Sequence, residues 1–107
     1  MLPPFFSLGF HYSRWEETSA QKIIDYNDKF EEYGFPLDVL WMDLGYTKDN
    51  EYFVFNPVTF NKYDVDLMRS IINVSDRRLV VITDPHIKFS ESYPVYKQGL
   101  YLDKILT

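Results

Sequence analysis

The sequence predicts an α/β fold built on a parallel sheet, and two observations carry that prediction. Three apolar, strand-like runs each close on polar or charged residues, and helical patterns separate them. The order therefore reads βαβαβ, which favours parallel strands. The runs are Phe5–Phe10, leading into His11, Arg14 and Trp15; Val39–Met42, closing on Asp43; and Leu79–Thr83, closing on Asp84, Pro85 and His86. With right-handed crossovers, all three carboxyl ends lie along one edge. Ligands bind at that edge in α/β barrels and open α/β sheets alike, so one site is expected to draw on all three segments.

Each element has its own signal. Thr18-Ser19-Ala20-Gln21 has the capping-box spacing, with a hydroxyl three residues before Gln, and marks the first helix. Ile23, Tyr26, Phe30 and Tyr33 recur at helical spacing as one buried stripe. Gly34 supplies a left-handed stop, and Pro36 prevents resumption. The next run lacks alternation, which predicts a strand buried on both faces, with Trp41 in the core. Residues 45–61 read as a longer connection in which Tyr52–Phe55 makes a short extended excursion. A second helix is predicted over 62–74, with a stripe of Val65, Met68 and Ile72 flanked by Leu67 and Ile71. A polar loop follows the third run at 88–92. The tail from Tyr93 to Thr107 reads as a short helix broken at Gly99, then another apolar segment.

Size and composition bound the function. The 107 residues form one unit, 1–107, with 46% hydrophobic and 25% charged residues, as in an ordinary globular protein. Aromatic residues reach 19%, which suits both a large core and a sugar-binding surface. The net charge is −5 and the only basic cluster is the pair Arg77-Arg78, so nucleic-acid binding is not expected. No apolar stretch is long enough to span a bilayer, and Met1-Leu2-Pro3-Pro4 lacks the regions of a signal peptide. The absence of cysteine excludes disulfides and thiolate metal sites. His11 and His86 are too few and too scattered for a metal motif, and no phosphate loop or nucleophile elbow occurs. No cofactor is expected. Asn73-Val74-Ser75 is a glycosylation sequon, relevant only in a secretory compartment.

From the residues alone, Asp43 and Asp84 suggest a catalytic carboxylate pair. Adjacent strands lie ~4.8 Å apart, near the ~5–5.5 Å carboxyl separation of retaining glycosidases. Asp84 precedes Pro85, however, and a turn-organising role is the simpler reading. His11 and His86 can each serve as a satisfied structural histidine, and Arg14 is expected to pair with a neighbouring acid. A rival reading is a receiver-like signalling domain with Asp43 as phosphoacceptor. That site needs an acidic pair after the first strand to hold Mg2+, where this chain offers His11. It also needs a five-stranded sheet with a late Lys. A non-enzymatic sugar-binding fragment is a third reading.

Four segments carry a family resemblance. Leu8-Gly9-Phe10-His11-Tyr12-Ser13-Arg14-Trp15 resembles the LGYHQxRW signature that opens the barrel of glycoside hydrolase family 31. Residues 36–44, from Pro36 to Leu44, resemble its PxDVIWLDI segment, and residues 52–60 resemble its YFTWDPxxF loop. Asp84-Pro85-His86-Ile87-Lys88 is similar to the DPHIK segment typical of the α-glucosidase II type. The four motifs stand in the family order at similar intervals and span nearly the whole chain.

The resemblance implies a (β/α)8 barrel of about 250 residues and eight strands, of which this chain offers the first three. It implies an α-glucosidase that hydrolyses α-linked glucose from oligosaccharides or N-glycans with retention. The family's nucleophile motif, WxDMxE, and its later acid/base do not occur in this sequence. No catalytic carboxylate is therefore expected within the chain, and Asp43 should not be mistaken for one. By the resemblance, Asp43 accepts hydrogen bonds from sugar hydroxyls, a task suited to a carboxylate. Leu44 is an apolar neighbour in that subsite, Trp15 an aromatic platform, and Ile82 an apolar wall. His11, Arg14, Asp84 and His86 are possible supporting residues. The implied partners are the α-glucosyl substrate, the remainder of the barrel and a non-catalytic beta subunit. The implied compartment is the endoplasmic-reticulum lumen. Departures from the pattern are Gly45 in place of an acid, Tyr46 in place of His, Phe55 and Asn56 in place of Trp and Asp, and Tyr12 in place of Gln. They put fine specificity in question but not the fold. With strands missing, the chain is expected to expose sheet edges and to self-associate or lose order.

Overall fold

The computed structural model describes residues 1–105. Five strands and three helices follow in the order β1 (His11–Tyr12), α1 (Ala20–Glu32), β2 (Val39–Met42), β3 (Thr47–Lys48), β4 (Glu51–Phe55), α2 (Lys62–Val74), β5 (Arg78–Val81) and α3 (Pro94–Tyr101). Strands β1, β2 and β5 form one parallel sheet in that spatial order, pairing His11 with Val39 and Leu40 with Leu79. The βαβαβ reading therefore holds, with β2 in the centre.

The first run is the main correction. Phe5–Leu8 is a 3-10 turn, closed by the Ser7 N–H and hydroxyl donating to Pro4 O. Pro3 and Pro4 impose their own backbone geometry, and pairing begins only where the Phe10 carbonyl accepts from the Asp38 and Val39 amides. Phe5 and Leu8 are exposed.

Helix α1 begins one residue later than the predicted box. The Ser19 hydroxyl caps it by accepting from Lys22 N, and Gln21 instead bonds Asp25. Ile23 and Ile24 are buried, Tyr26 and Phe30 half-buried, and Tyr33 is exposed beyond the helix end. Gly34, at φ +66°, provides the predicted left-handed stop. Helix α2 matches its predicted span, with Val65, Met68 and Ile72 buried. Asn61 caps it through Asp64 N.

Alternation along β2 sorts the core. Leu40 and Met42 pack with Ile23, Ile24, Met68 and Ile72 between the sheet and the two helices, which also pack against each other. His11, Val39 and Trp41 lie on the opposite face, where Trp41 Nε1 donates to His11 Nδ1 across 2.9 Å. Trp41 is half-buried there rather than a core residue.

Sequence reading missed Arg77. Its buried guanidinium donates to Leu37 O, Asn27 O, Asn27 Oδ1 and Glu31 Oε2, tying the end of α1 to the starts of β2 and β5. Helix α3 runs through Gly99 rather than breaking there, since one interior glycine costs only about 1 kcal/mol and Pro94 starts the helix. The apolar segment expected at the very end extends into residues 106–107, outside the described residues.

Among the described residues the outer edges of β1 and β5 carry no partner strand. Beside β5, a groove of about 670 Å3 opens over Met42, Met68, Ile72, Leu79 and Val81. The radius of gyration is 16.0 Å, against about 13 Å for a self-contained domain of this length. No described helix is long and apolar enough to cross a membrane.

Candidate functional site

The carboxyl ends of β1, β2 and β5 gather most of the predicted residues. Asp43 immediately follows β2. Its Oδ1 accepts from the Leu44 amide at 2.7 Å and caps the 3-10 turn Leu44–Tyr46. Among the described residues Oδ2 has no protein donor. One oxygen is thus held by the backbone, and the other keeps its capacity to accept a hydrogen bond. Leu44 is half-buried beside it and rests on the core. Tyr46 is buried, and its hydroxyl donates to Ile82 O at 3.1 Å, while the Ile82 amide donates to Met42 O at 3.0 Å. These bonds fix Ile82 against the same turn.

The connection from β1 to α1 sits on that turn as well. A Cβ at Gly45 would lie 2.4 Å from Glu16 O, which is backbone and cannot swing away. The Gly45 departure therefore has a steric reason. Arg14 pairs with Glu16 at 3.3 Å, as expected of a neighbouring acid, and Trp15 between them is 83% exposed.

Asp84 is already engaged. Its Oδ2 accepts from the Tyr52 hydroxyl at 2.5 Å, and this bond chiefly, together with burial, pushes the Tyr52 phenol up to about 12. Asp84 thereby ties the segment after β5 to the β3–β4 hairpin. The hairpin turn places Asp49 and Asn50 at φ +54° and +61°, the two left-handed positions of a tight hairpin. The strand β3 that it pairs was not read from sequence; its two residues are too few for a pattern. His86 is exposed, with its ring edge-on to Tyr52 at 5.5 Å. It joins Leu44, Thr47, Asn50 and Tyr52 around a cleft of about 120 Å3.

His11 is not brought to this edge. It aligns with Val39 at the start of β2, and both ring nitrogens have protein partners, Trp41 Nε1 and Ser7 O. Both nitrogens are thus engaged within the protein. Glu16 and Tyr52 are the site-shaping residues that sequence reading missed, since both act through contacts distant in sequence.

With this geometry, the chain matches the family described as "Glycosyl hydrolases family 31 TIM-barrel domain" over residues 1–107. The chain belongs to that family. Neutral alpha-glucosidase C of Mus musculus is 38% identical over 98 residues, covering 92% of this chain and 11% of the relative. Glucosidase 2 subunit alpha of Schizosaccharomyces pombe is 36% identical over 98 residues, covering 92% of this chain and 10% of the relative. A crystal structure of the glucosidase II alpha subunit bound to alpha3-Glc2 superposes with a TM-score of 0.85 at 36% identity, covering 92% of this chain and 10% of that one. A structure described as an ER glucosidase II heterodimer of the catalytic subunit and the binding domain of a regulatory subunit matches equally well, at a TM-score of 0.85.

The family 31 chain is thus α/β, its three parallel strands part of a TIM barrel, and the receiver reading is overturned. It spans about a tenth of the length of the relatives it matches.

Proposed function

We propose that residues 1–107 form the opening portion of the catalytic barrel of a retaining α-glucosidase acting on α-linked glucose in oligosaccharides or N-glycans. The observation that carries this is the Asp43–Leu44 turn at the carboxyl end of the central strand, within a fold similar to an alpha3-Glc2-bound glucosidase II alpha subunit. Asp43 accepts sugar hydroxyls through its open oxygen, Leu44 and Ile82 form an apolar wall, and Trp15 packs on the sugar's C–H face. Arg14 and Asp84 act indirectly, by pairing with Glu16 and Tyr52, and His86 borders the adjoining cleft. The two carboxylates of the retaining mechanism come from later strands, so this segment supplies one wall of the subsite.

The remainder of the barrel is the first partner, covering the free edge of β5 and its groove. By likeness to the ER glucosidase II heterodimer, a regulatory subunit is a further partner and the endoplasmic-reticulum lumen the compartment.

An assay with a chromogenic α-glucoside tests this reading. The 107-residue chain alone is expected to give no turnover, whereas a complete barrel carrying it is expected to hydrolyse the substrate with retained anomeric configuration. Turnover by the isolated chain that disappears in Asp43→Asn would overturn the assignment of roles, as would inversion by the complete barrel.

A further inference from the structure

Glu16 is a carboxylate with three donors converging on it. Tyr26 donates its hydroxyl to Oε1, Lys22 Nζ donates to Oε2 at 2.9 Å, and Arg14 Nε lies 3.3 Å from Oε2. Its side chain is only 17% exposed, although it belongs to a surface connection. Lys22 and Tyr26 stand one turn apart on the same face of α1, so the helix presents a ready-made pair of donors. Lys22 also donates to Glu17 O at 3.3 Å, gripping the next residue by its backbone. The hydrogen bond from Tyr26, then that from Lys22, holds the Glu16 carboxyl below the usual range; the same bond from Lys22 raises the Lys22 ammonium.

The other side of this connection meets the Asp43 turn. Glu16 O and Thr18 N lie 2.4 and 3.3 Å from where a Gly45 Cβ would stand. The loop bearing Trp15 is therefore gripped by α1 on one side and pressed on Gly45 on the other. Gly45 is two residues from Asp43, and Trp15 is adjacent to Glu16.

We propose that Glu16 is a positioning residue: by clamping the β1–α1 connection onto Gly45, it fixes Trp15 relative to Asp43 and so sets the width of the sugar subsite. Trp15 packs against no core and has no intrinsic reason to hold one position, so the clamp supplies it. The absence of a side chain at Gly45 lets the loop settle closer than an acidic residue would. The inference rests on the sugar-binding roles proposed for Trp15 and Asp43, and deepens them into a determinant of how tightly the ring is sandwiched.

The test uses a complete α-glucosidase carrying this segment and the variants Glu16→Gln, Gly45→Ala and Trp15→Ala. Glu16→Gln keeps the shape and loses the charge. It is expected to raise KM for an α-glucoside about tenfold, the scale of a charge-assisted contact, while kcat changes less than about twofold. Gly45→Ala pushes from the opposite side and is expected to change KM in the same direction. In a Trp15→Ala background, Glu16→Gln is expected to add less than about twofold, because the ring it positions is gone. Hydrogen–deuterium exchange over residues 13–19 without sugar reads the clamp alone and is expected to rise in Glu16→Gln.

Wild-type exchange in Glu16→Gln overturns the clamp. Raised exchange with unchanged KM, or an effect undiminished in Trp15→Ala, overturns its link to the subsite. If Asp43→Ala and Trp15→Ala both leave sugar binding intact, the underlying functional reading fails, and the exchange result still judges the clamp separately.

Discussion

The Tyr52 hydroxyl donates to Asp84 Oδ2, joining β4 to the segment that follows β5 across 2.5 Å. Tyr93 reinforces the junction by donating its hydroxyl to Tyr52 O, and Lys88 Nζ does so by donating to Asp49 O at 2.7 Å. The hairpin carrying the rim of the site is thus held from the neighbouring strand's loop.

The junction has a defined pH window. Tyr52 bonds as the neutral phenol, and its folded value near 12 lies above the ordinary value of about 10. A group raised on folding contributes stability that is complete below its unfolded value and lost as pH rises through its folded value. Tyr52→Phe is therefore expected to lose stability at neutral pH, and the gap from wild type should close between about pH 10 and 12. Urea unfolding across that range measures it, and absorbance at 295 nm should show one late-titrating tyrosine missing from the variant. A gap that stays constant through pH 12 would remove the bond from the account.

Asp43→Ala in a complete enzyme is expected to leave the fold intact, because the residue is half-buried and caps only a short turn. Losing one charge-assisted hydrogen bond costs about 1.5–3 kcal/mol, so kcat/KM should fall about tenfold or more, and further if the contact tightens in the transition state. Steady-state kinetics beside a circular-dichroism spectrum decides it. Near-normal kinetics would take Asp43 out of the site.

How much of this was legible in the sequence depended on the range of each interaction. The stripe of α2, the burial of β2 and the stop at Gly34 are local patterns, and all three hold in the structure. The opening strand failed because Phe5–Phe10 reads as extended by composition, while Pro3, Pro4 and the want of a partner decide otherwise. Asp43, Leu44 and Ile82 were named by the family resemblance, and parallel topology, which brings strand ends together whatever the details, sets them along one edge. Apart from the local Arg14–Glu16 pair, Glu16, Tyr52 and Arg77 act on residues from 6 to 50 positions away. No periodicity announces such contacts, and the steric reason for Gly45 lies in a backbone carbonyl from another segment.

Arg77 gives a structural prediction. Its bonds to two backbone carbonyls and to the buried Asn27 side chain stand apart from its pair with Glu31, whose side chain is 76% exposed. Glu31→Gln should cost less than about 1 kcal/mol, as exposed partners do. Arg77→Met should cost about 3 kcal/mol or more, since it leaves buried acceptors unpaired where α1, β2 and β5 meet. Urea unfolding of both variants measures the contrast, and equal losses would mean that the ion pair, not the carbonyl clamp, holds this corner.

The last prediction concerns the 107-residue chain in isolation. Its sheet has β1 and β5 at its edges, each with an unpaired side among the described residues. Unpaired edges template further pairing, and nothing in β5 blunts the tendency: Arg78 is its only charge and Val81 is 40% exposed. The groove of about 670 Å3 beside it leaves Leu79 and Val81 of the strand itself only partly covered. Helix α3 lies after the site loop and does not extend the sheet. With a core this small, burying that surface against another copy should outweigh the entropy of association at high concentration. The chain is therefore expected to elute above its monomer mass of 12.8 kDa, increasingly so with concentration, and to bind a hydrophobic dye. Adding Lys at Val81 should reduce the association by placing a charge on the open edge. Size-exclusion chromatography with light scattering settles it: a cooperative, dye-free monomer at every concentration would mean that these edges are stable uncovered, and that the rest of the barrel is not what they require.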